Sequence, residues 1–408
     1  MRFLPYEPDQ AWLLPPSVQD VLGSDHLCFF VHQVVEKLDL RSFAEAYGNE
    51  GQRPYAPQLM VKVWLYAYCL QVTSSRRLEQ RIREDLAFRY LAGGQSPDHW
   101  TLNDFRTRHR RALNDLFLQV VEVARGLGMG RLGHVAIDST RVRANASRRR
   151  TETVEELRQR LAVTRRMIRR WQQQCAAADH DEDPGTKVKP NFRQMLDQQL
   201  AETQEKLQQL EKMGAAQLSR TDPDSRFLHQ SQGQGFVLGY TLDLAVSDDH
   251  LIVAQRTTQA VADSESLLPM LDKVMEACGE WPQQASADSG FFSVENLVGL
   301  ENRGIEGFVP DAHLSGELQA HRPPVKSPGA TPEHCRMRQR LRSPEGKLRY
   351  RRRQALVEPV FGILKEQRGM RGVRLRGLGK VRAEIALACT AFNLTRMWRL
   401  QSPDEPRT

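Results

Sequence analysis

The sequence predicts a mixed α/β protein with an all-helical N-terminal domain and a helical insertion. Three observations carry that expectation. Apolar residues keep helical spacing through the first 130 positions, short strand-like runs begin at His134, and a charged, Gln-rich double-helix pattern interrupts those runs between 150 and 215. With 408 residues and 40% hydrophobic content there is ample core for two or three domains. A disulfide miniprotein, a collagen-like fibre and a wholly disordered chain are excluded.

Within 1–130, Leu59, Val63, Tyr66 and Leu70 recur at helical spacing. Ser74 and Ser75 precede Arg77, Leu78, Ile82 and Leu86, and Asp98 and Thr101 open a further pattern from Leu102 to Leu127. Short helices with basic faces suit DNA, and 59–90 has room for a helix-turn-helix; an ordinary helical packing domain reads the same way. The period then changes. HVAI at 134–137 runs into Asp138 and predicts a buried strand ending there. Residues 152–175 and 192–213 predict an inserted helical hairpin with a thin stripe of Leu157, Leu161 and Ile168, broken by HDEDPGTKVKP at 180–190. Strands are expected at 236–246 and 251–255, a helix at 264–278, a strand at 284–288, a helix at 294–302 and a strand at 305–309. Residues 310–346, rich in Pro, Gly and His, predict a loop. One terminal helix bears Glu358, another spans 381–400, and 401–408 predicts a disordered tail.

The formal charge is +8, but it is not spread evenly. Residues 336–382 hold sixteen Lys or Arg against three acids, a local +13 that leaves −5 elsewhere. Such a segment either holds phosphates or is a disordered basic tail. The interleaved Leu356, Val357, Val360, Phe361, Ile363 and Leu364 argue for a folded segment. The six cysteines are scattered without metal-ligand spacing, the N-terminus lacks the apolar run of a signal peptide, and no apolar stretch approaches the roughly 20 residues that span a bilayer. A cytoplasmic protein with no membrane partner is expected.

Three acids stand out. Asp138 (AIDST) and Asp288 (SADSGF) each follow a strand-like run, and Glu358 lies on a helix in ALVEPVFGILK. Ligand sites in open α/β sheets gather beyond strand carboxyl ends, and converging carboxylates suit a pair of Mg²⁺ ions, with Mn²⁺ as a substitute. Each acid alone also fits a turn, a cap or a solvated helix position. Lys365 lies two helical turns beyond Glu358, about 10 Å along nearly the same face. By alternation Asp243 reads as a solvated strand residue, Asp248 and Asp249 as turn residues, Asp263 and Glu265 as caps, and His134 and His250 as packing or surface residues.

AIDST, SADSGF and VEPVFGILKEQRG, in that order, resemble the DDE transposases of bacterial insertion sequences. So do MVKVWLYAYCLQVTSSRRLEQRIREDLAFRYLAGG in the N-terminal part and TDPDSRF followed by GFVLGYTLDLAV. The resemblance runs through most of 15–400 and is weakest at 150–215 and 311–346. It implies an RNase H-like catalytic domain over 131–400, a DNA-binding domain over 1–130, and cleavage and joining of DNA at element ends by a homodimer, with metal-bound water cutting and the freed 3′-hydroxyl attacking target DNA. Asp138, Asp288 and Glu358 match the family's three metal ligands. A branch of the family carries a Tyr-Arg-Glu-Lys signature spaced Y-x2-R-x3-E-x6-K. Lys365 keeps its place relative to Glu358, whereas Tyr350 and Arg353 sit one residue too far away, a shift of about 100° on a continuous helix. Lys365, Arg353, Tyr350, Arg351 and Arg368 are the expected DNA contacts. A nuclease that never joins strands, or a catalytically silent DNA-binding relative, is the competing expectation.

Overall fold

Side-chain caps start several of the early helices: Ser17, Asp85 and Asp98 each accept from a backbone N–H of the turn that follows. The computed structural model describes residues 17–47, 53–178, 190–213, 217–229, 235–320 and 331–401. Up to residue 126 the described residues form α1 (Val18–Val21), α2 (Leu27–Glu36), α3 (Arg41–Ala44), α4 (Pro57–Cys69), α5 (Ser75–Glu84), α6 (Leu86–Leu91), α7 (His99–Arg108) and α8 (Arg110–Gly126). Every residue of α4 from Leu59 to Cys69 is buried. The Trp64 indole donates to the Leu102 carbonyl at 3.1 Å, and the Arg106 guanidinium lies 3.9 Å from the ring centre. A helix buried all round is a core helix, so within 59–90 α4 is packing rather than surface. What that stretch does expose is α5, with Arg76, Arg77, Arg81 and Arg83 outward and Leu78 and Ile82 inward.

Beyond α8 come β1 (His134–Arg143), β2 (Thr151–Thr153), α9 (Val154–Ala178), α10 (Pro190–Met213), β3 (Gln217–Ser219), β4 (Arg226–His229), β5 (Phe236–Ser247), β6 (Ile252–Thr258), α11 (Leu267–Cys278), β7 (Gln284–Ser286), α12 (Val294–Asn302), β8 (Glu306–Phe308), α13 (Ala312–Ala320), α14 (Pro332–Arg342), α15 (Pro344–Gly362) and α16 (Leu378–Gln401). The main sheet runs β4-β5-β1-β7-β8, with β6 also paired to β5. β5 is antiparallel to β1, β4 and β6, while β7 is parallel to β1 and β8 to β7. The mixed α/β class expected from the change of period is therefore the class observed.

One hydrophobic core joins the N-terminal helices to the sheet. The joint is α16, packed against α4, α8 and β6. Its start is held by the TDPD stretch: Gly377 N–H donates to Asp222 at 3.0 Å and Leu378 N–H to Asp224 at 2.7 Å, while the Tyr240 hydroxyl donates to the buried Asp222 at 2.8 Å. The hairpin α9–α10 has its own small core of Leu157, Leu207, Leu210 and Leu218. Its feet are tied by the β2–β3 ladder and by Glu152, which meets Arg160 at 2.5 Å, Lys206 at 3.2 Å and Arg220 at 3.4 Å. Burial alone would raise the Glu152 carboxyl, but the hydrogen bonds from Arg160 and Lys206 hold it below its ordinary value. Most of the 180–190 break, and the tail beyond Gln401, lie outside the described residues.

Two expectations are corrected. The 310–346 stretch is not a loop where it is described, since α13, α14 and the start of α15 occupy it. Thr331 and Ser343 cap α14 and α15 with Pro at the first turn of each, where its missing N–H costs nothing. Nor does β1 stop at Asp138; it continues to Arg143 because β5 pairs with it over its whole length, from Val135↔Ser247 to Arg143↔Gly239. Among the described residues no helix is long and apolar enough to cross a membrane.

Candidate active site

Strand register brings the two aspartates together. The last parallel pair between β1 and β7 is Ala136↔Ser286, and Asp138 and Asp288 each lie two residues further on. Asp138, within β1, keeps the face of Ala136, and Asp288 lies close enough to act on its carboxyl. Asp288 is past the end of β7, which stops at Ser286, and caps a 3-10 turn, its Oδ1 accepting from Gly290 N–H at 2.8 Å. The turn reading holds for it, and its charge acts on Asp138. Asp138 Oδ1 accepts from Ser139 N–H at 2.8 Å, and its Oδ2 meets Arg353 Nη1 at 2.7 Å. Burial is the main force pushing the Asp138 carboxyl up to about 6; Arg353 pulls it down and Asp288 pushes it further up.

The helix above is α15. Its sheet-facing side buries Tyr350, Arg353, Leu356, Val357, Val360 and Phe361, with the Arg353 guanidinium 5.8 Å from the Tyr350 ring. α15 runs unbroken through Tyr350, Arg353 and Glu358. The one-residue offset therefore takes full effect: five residues separate Arg353 from Glu358, a rotation of about 140° on an α-helix. Arg353 faces Asp138, and Glu358 is exposed. Pro359 removes a helical N–H one residue later, and a π-helical turn at Ile363–Gln367 carries Lys365. Burial, then Arg371, draw the half-buried Lys365 ammonium below its ordinary value, while Glu366 and Asp138 act the other way. Lys365 thus lies within electrostatic reach of Asp138.

Arg351 is exposed, as a phosphate contact requires. Arg368 differs from expectation. It is buried, donating to the Cys69 carbonyl and, at 2.8 Å, to the Thr395 hydroxyl, so here it ties the end of α4 to α16.

Two further carboxylates lie at Ser139, the residue after Asp138. Asp243 is fully buried rather than solvated. Alternation does put it opposite Leu242 and Leu244, but α11 covers that face, and Ser139 Oγ donates to Asp243 at 2.7 Å across the β1–β5 register. Asp263 does not cap α11. It pairs with Arg141 at 3.1 Å, and its carboxyl is raised first by burial and then, against Arg141, by Asp288. A Cβ placed on Gly290 would lie 3.1 Å from Asp288 Oδ1 and 3.4 Å from Asp263 Oδ2, so that glycine leaves room between two carboxylates. No local signal marks Asp263, because DSE before a helix reads as a cap.

A family model described as a transposase domain (DUF772) matches residues 16–108, and one described as a transposase DDE domain matches 323–398. Together the two matches support an insertion-sequence DDE transposase. Neither a curated protein nor a solved structure matches it. The DDE match spans Glu358, Arg353 and Lys365, whereas Asp138 and Asp288 lie outside both matched segments.

Among the described residues no three His, Cys, Asp or Glu side chains gather closely enough to hold a metal ion. The Asp138–Asp288 pair nonetheless fits a hard divalent cation. It offers carboxylate oxygens, and a cation between them would relieve the like-charge repulsion that raises Asp138. Glu358 stands outside that pair.

Proposed function

We propose that the chain binds the terminal inverted repeats of its element and carries out metal-dependent DNA strand cleavage and strand transfer, acting as a homodimer on DNA through an RNase H-like core. The observation that carries this reading is the matched offset of Asp138 and Asp288 beyond the last β1–β7 pair, under a basic helix inside the DDE match. Leaving aside β4, the chain order of β1, β5 and β6 as antiparallel strands, then β7 and β8 as parallel ones reached through helices, supports the RNase H-like assignment.

Asp138 and Asp288 would hold Mg²⁺, with Mn²⁺ as a substitute, and Glu358 is the proposed third ligand. The bound metal supplies Lewis-acid polarisation of a phosphoryl oxygen and activation of the attacking oxygen. The protein's own groups orient and compensate. Arg353 holds the Asp138 carboxylate in one position through its 2.7 Å ion pair. Lys365, in the π-helical turn, and Arg351, on the exposed side of α15, offer cations to the phosphates of a strand crossing that helix.

The test is incubation of the full chain with labelled fragments of the DNA flanking its gene and Mg²⁺, scoring cleavage and joining separately. Both products are expected, and both should vanish with EDTA. Nicking without joining would favour a nuclease; binding without either would favour a silent relative. Lys365→Ala should flatten the log–log salt dependence of end binding by about one unit, the worth of roughly one phosphate contact. An unchanged slope would remove Lys365 from the DNA path.

A further inference from the structure

A second arginine-rich stretch lies in the inserted hairpin. Residues 141–170 contain eleven arginines and three glutamates, a net +8. Arg141 is taken up by Asp263 and Arg160 by Glu152. The Arg148-Arg149-Arg150 run and Arg158, Arg165, Arg166, Arg169 and Arg170 are exposed, and among the described residues none of them is ion-paired.

Their placement on α9 is ordered. At 100° per residue, Arg158, Arg165 and Arg169 fall within about 20° of one line, with Arg166 and Arg170 beside them. Leu157, Thr164 and Ile168, buried in the hairpin, lie on the opposite half of the helix. Arg165–Arg169 and Arg166–Arg170 are i,i+4 like-charge pairs, which repel weakly. An anion laid along that face would relieve the repulsion. The neighbouring helix is close to neutral: α10 carries Asp197, Glu202, Glu205 and Glu211 against Arg193, Lys206 and Lys212. The positive face is therefore one side of the hairpin, not a general property of it.

We infer that α9 is a phosphate-tracking arm that lies along duplex DNA outside the catalytic cleft. The inference rests on the DNA-processing reading above. The row begins at 148, five residues beyond the end of β1, the strand that carries Asp138. Twenty-five helical residues extend about 37 Å, the length of about 11 base pairs at 3.4 Å each. Exposed guanidinium forks suit phosphate oxygens.

The test uses the full chain and a labelled duplex of mixed sequence, about 40 base pairs long so that it exceeds the reach of α9, in fluorescence anisotropy over a KCl series. Replacing Arg165, Arg166, Arg169 and Arg170 together by Ala, the best helix former, preserves α9. The expected result is a log–log salt slope shallower by about 3.6, near 0.9 per lost contact, and affinity at least about tenfold weaker at low salt. Replacement of the same four by Lys should restore the slope, since the charge returns. An Ala variant that binds like the parent overturns the inference and leaves the DNA-processing reading intact. A Lys variant that fails to restore the slope overturns it too, as does an Ala variant whose only change is in sedimentation, which would assign the row to a contact between copies. A parent chain that binds no duplex at all takes down both readings.

Discussion

Asp138→Asn is expected to lower strand cleavage by more than about 100-fold while duplex binding stays near the parent's. The bound rests on scale: groups that merely orient a metal ligand are worth about 10–100-fold, and a ligand is worth more. The amide keeps the size of the side chain and an oxygen for the 2.7 Å contact with Arg353, so lost folding would not explain the result. Asp288→Asn should behave alike, because the two carboxylates share one electrostatic field. Combining them should cost little beyond either alone, since groups that act as a unit are not additive. Glu358→Gln is the sharper case. It should also abolish cleavage if Glu358 is the third ligand, and because the side chain is exposed the substitution leaves the packing around it in place. Normal cleavage in any of the three would remove that acid from the site.

How much of this was legible depends on whether the signal is local. The helix at 294–302 is found residue for residue, because Ser293 caps it through Asn296 N–H and Arg303-Gly304 stops it. β5 is likewise within a residue of its expected span, being a largely apolar run interrupted only at Thr241 and Asp243. α14 and the start of α15 were hidden by Pro and Gly density, although Thr331-Pro332-Glu333 and Ser343-Pro344-Glu345 are both helix-start patterns. The polar Ser139, Thr140 and Arg141 looked like the exit from a strand; only pairing with β5, about a hundred residues away, keeps them in it.

The site divides in the same way. Asp138 and Asp288 could be named because each follows a strand-like run, and the register then sets them side by side. The one-residue offset of Tyr350 and Arg353 from Glu358 was visible as well, and an unbroken α15 turns it into two different faces. Asp243 and Asp263 were not legible as neighbours. Their placement depends on α11 closing over β5 and β6 and on Arg141 reaching back from β1, contacts between elements that no local pattern encodes.

The parent chain should lose about 3 kcal/mol of stability relative to a His134→Gln variant as pH falls from 7 to 4. His134 opens β1 opposite Gln284, is fully buried, and meets Ser286 Oγ at 2.8 Å, a cross-strand tie in the same pairing that aligns Asp138 with Asp288. Burial is the main force lowering its imidazole from 6.5 to about 4; Arg352 and Arg349 add to it and Asp248 opposes it. The unfolded chain therefore binds a proton near pH 6.5 that the folded chain refuses until about 4, so unfolding is increasingly favoured across that window. Each unit of difference is worth about 1.4 kcal/mol, which gives the figure of about 3. Gln reaches Ser286 without titrating, so the difference between the two chains isolates this one group from the acids that titrate in both. Denaturant melts of both proteins at several pH values across that window measure it directly. Parallel stability curves would mean that His134 is protonated in the folded state at ordinary cost, and that the tie across β1 and β7 does not require a neutral ring.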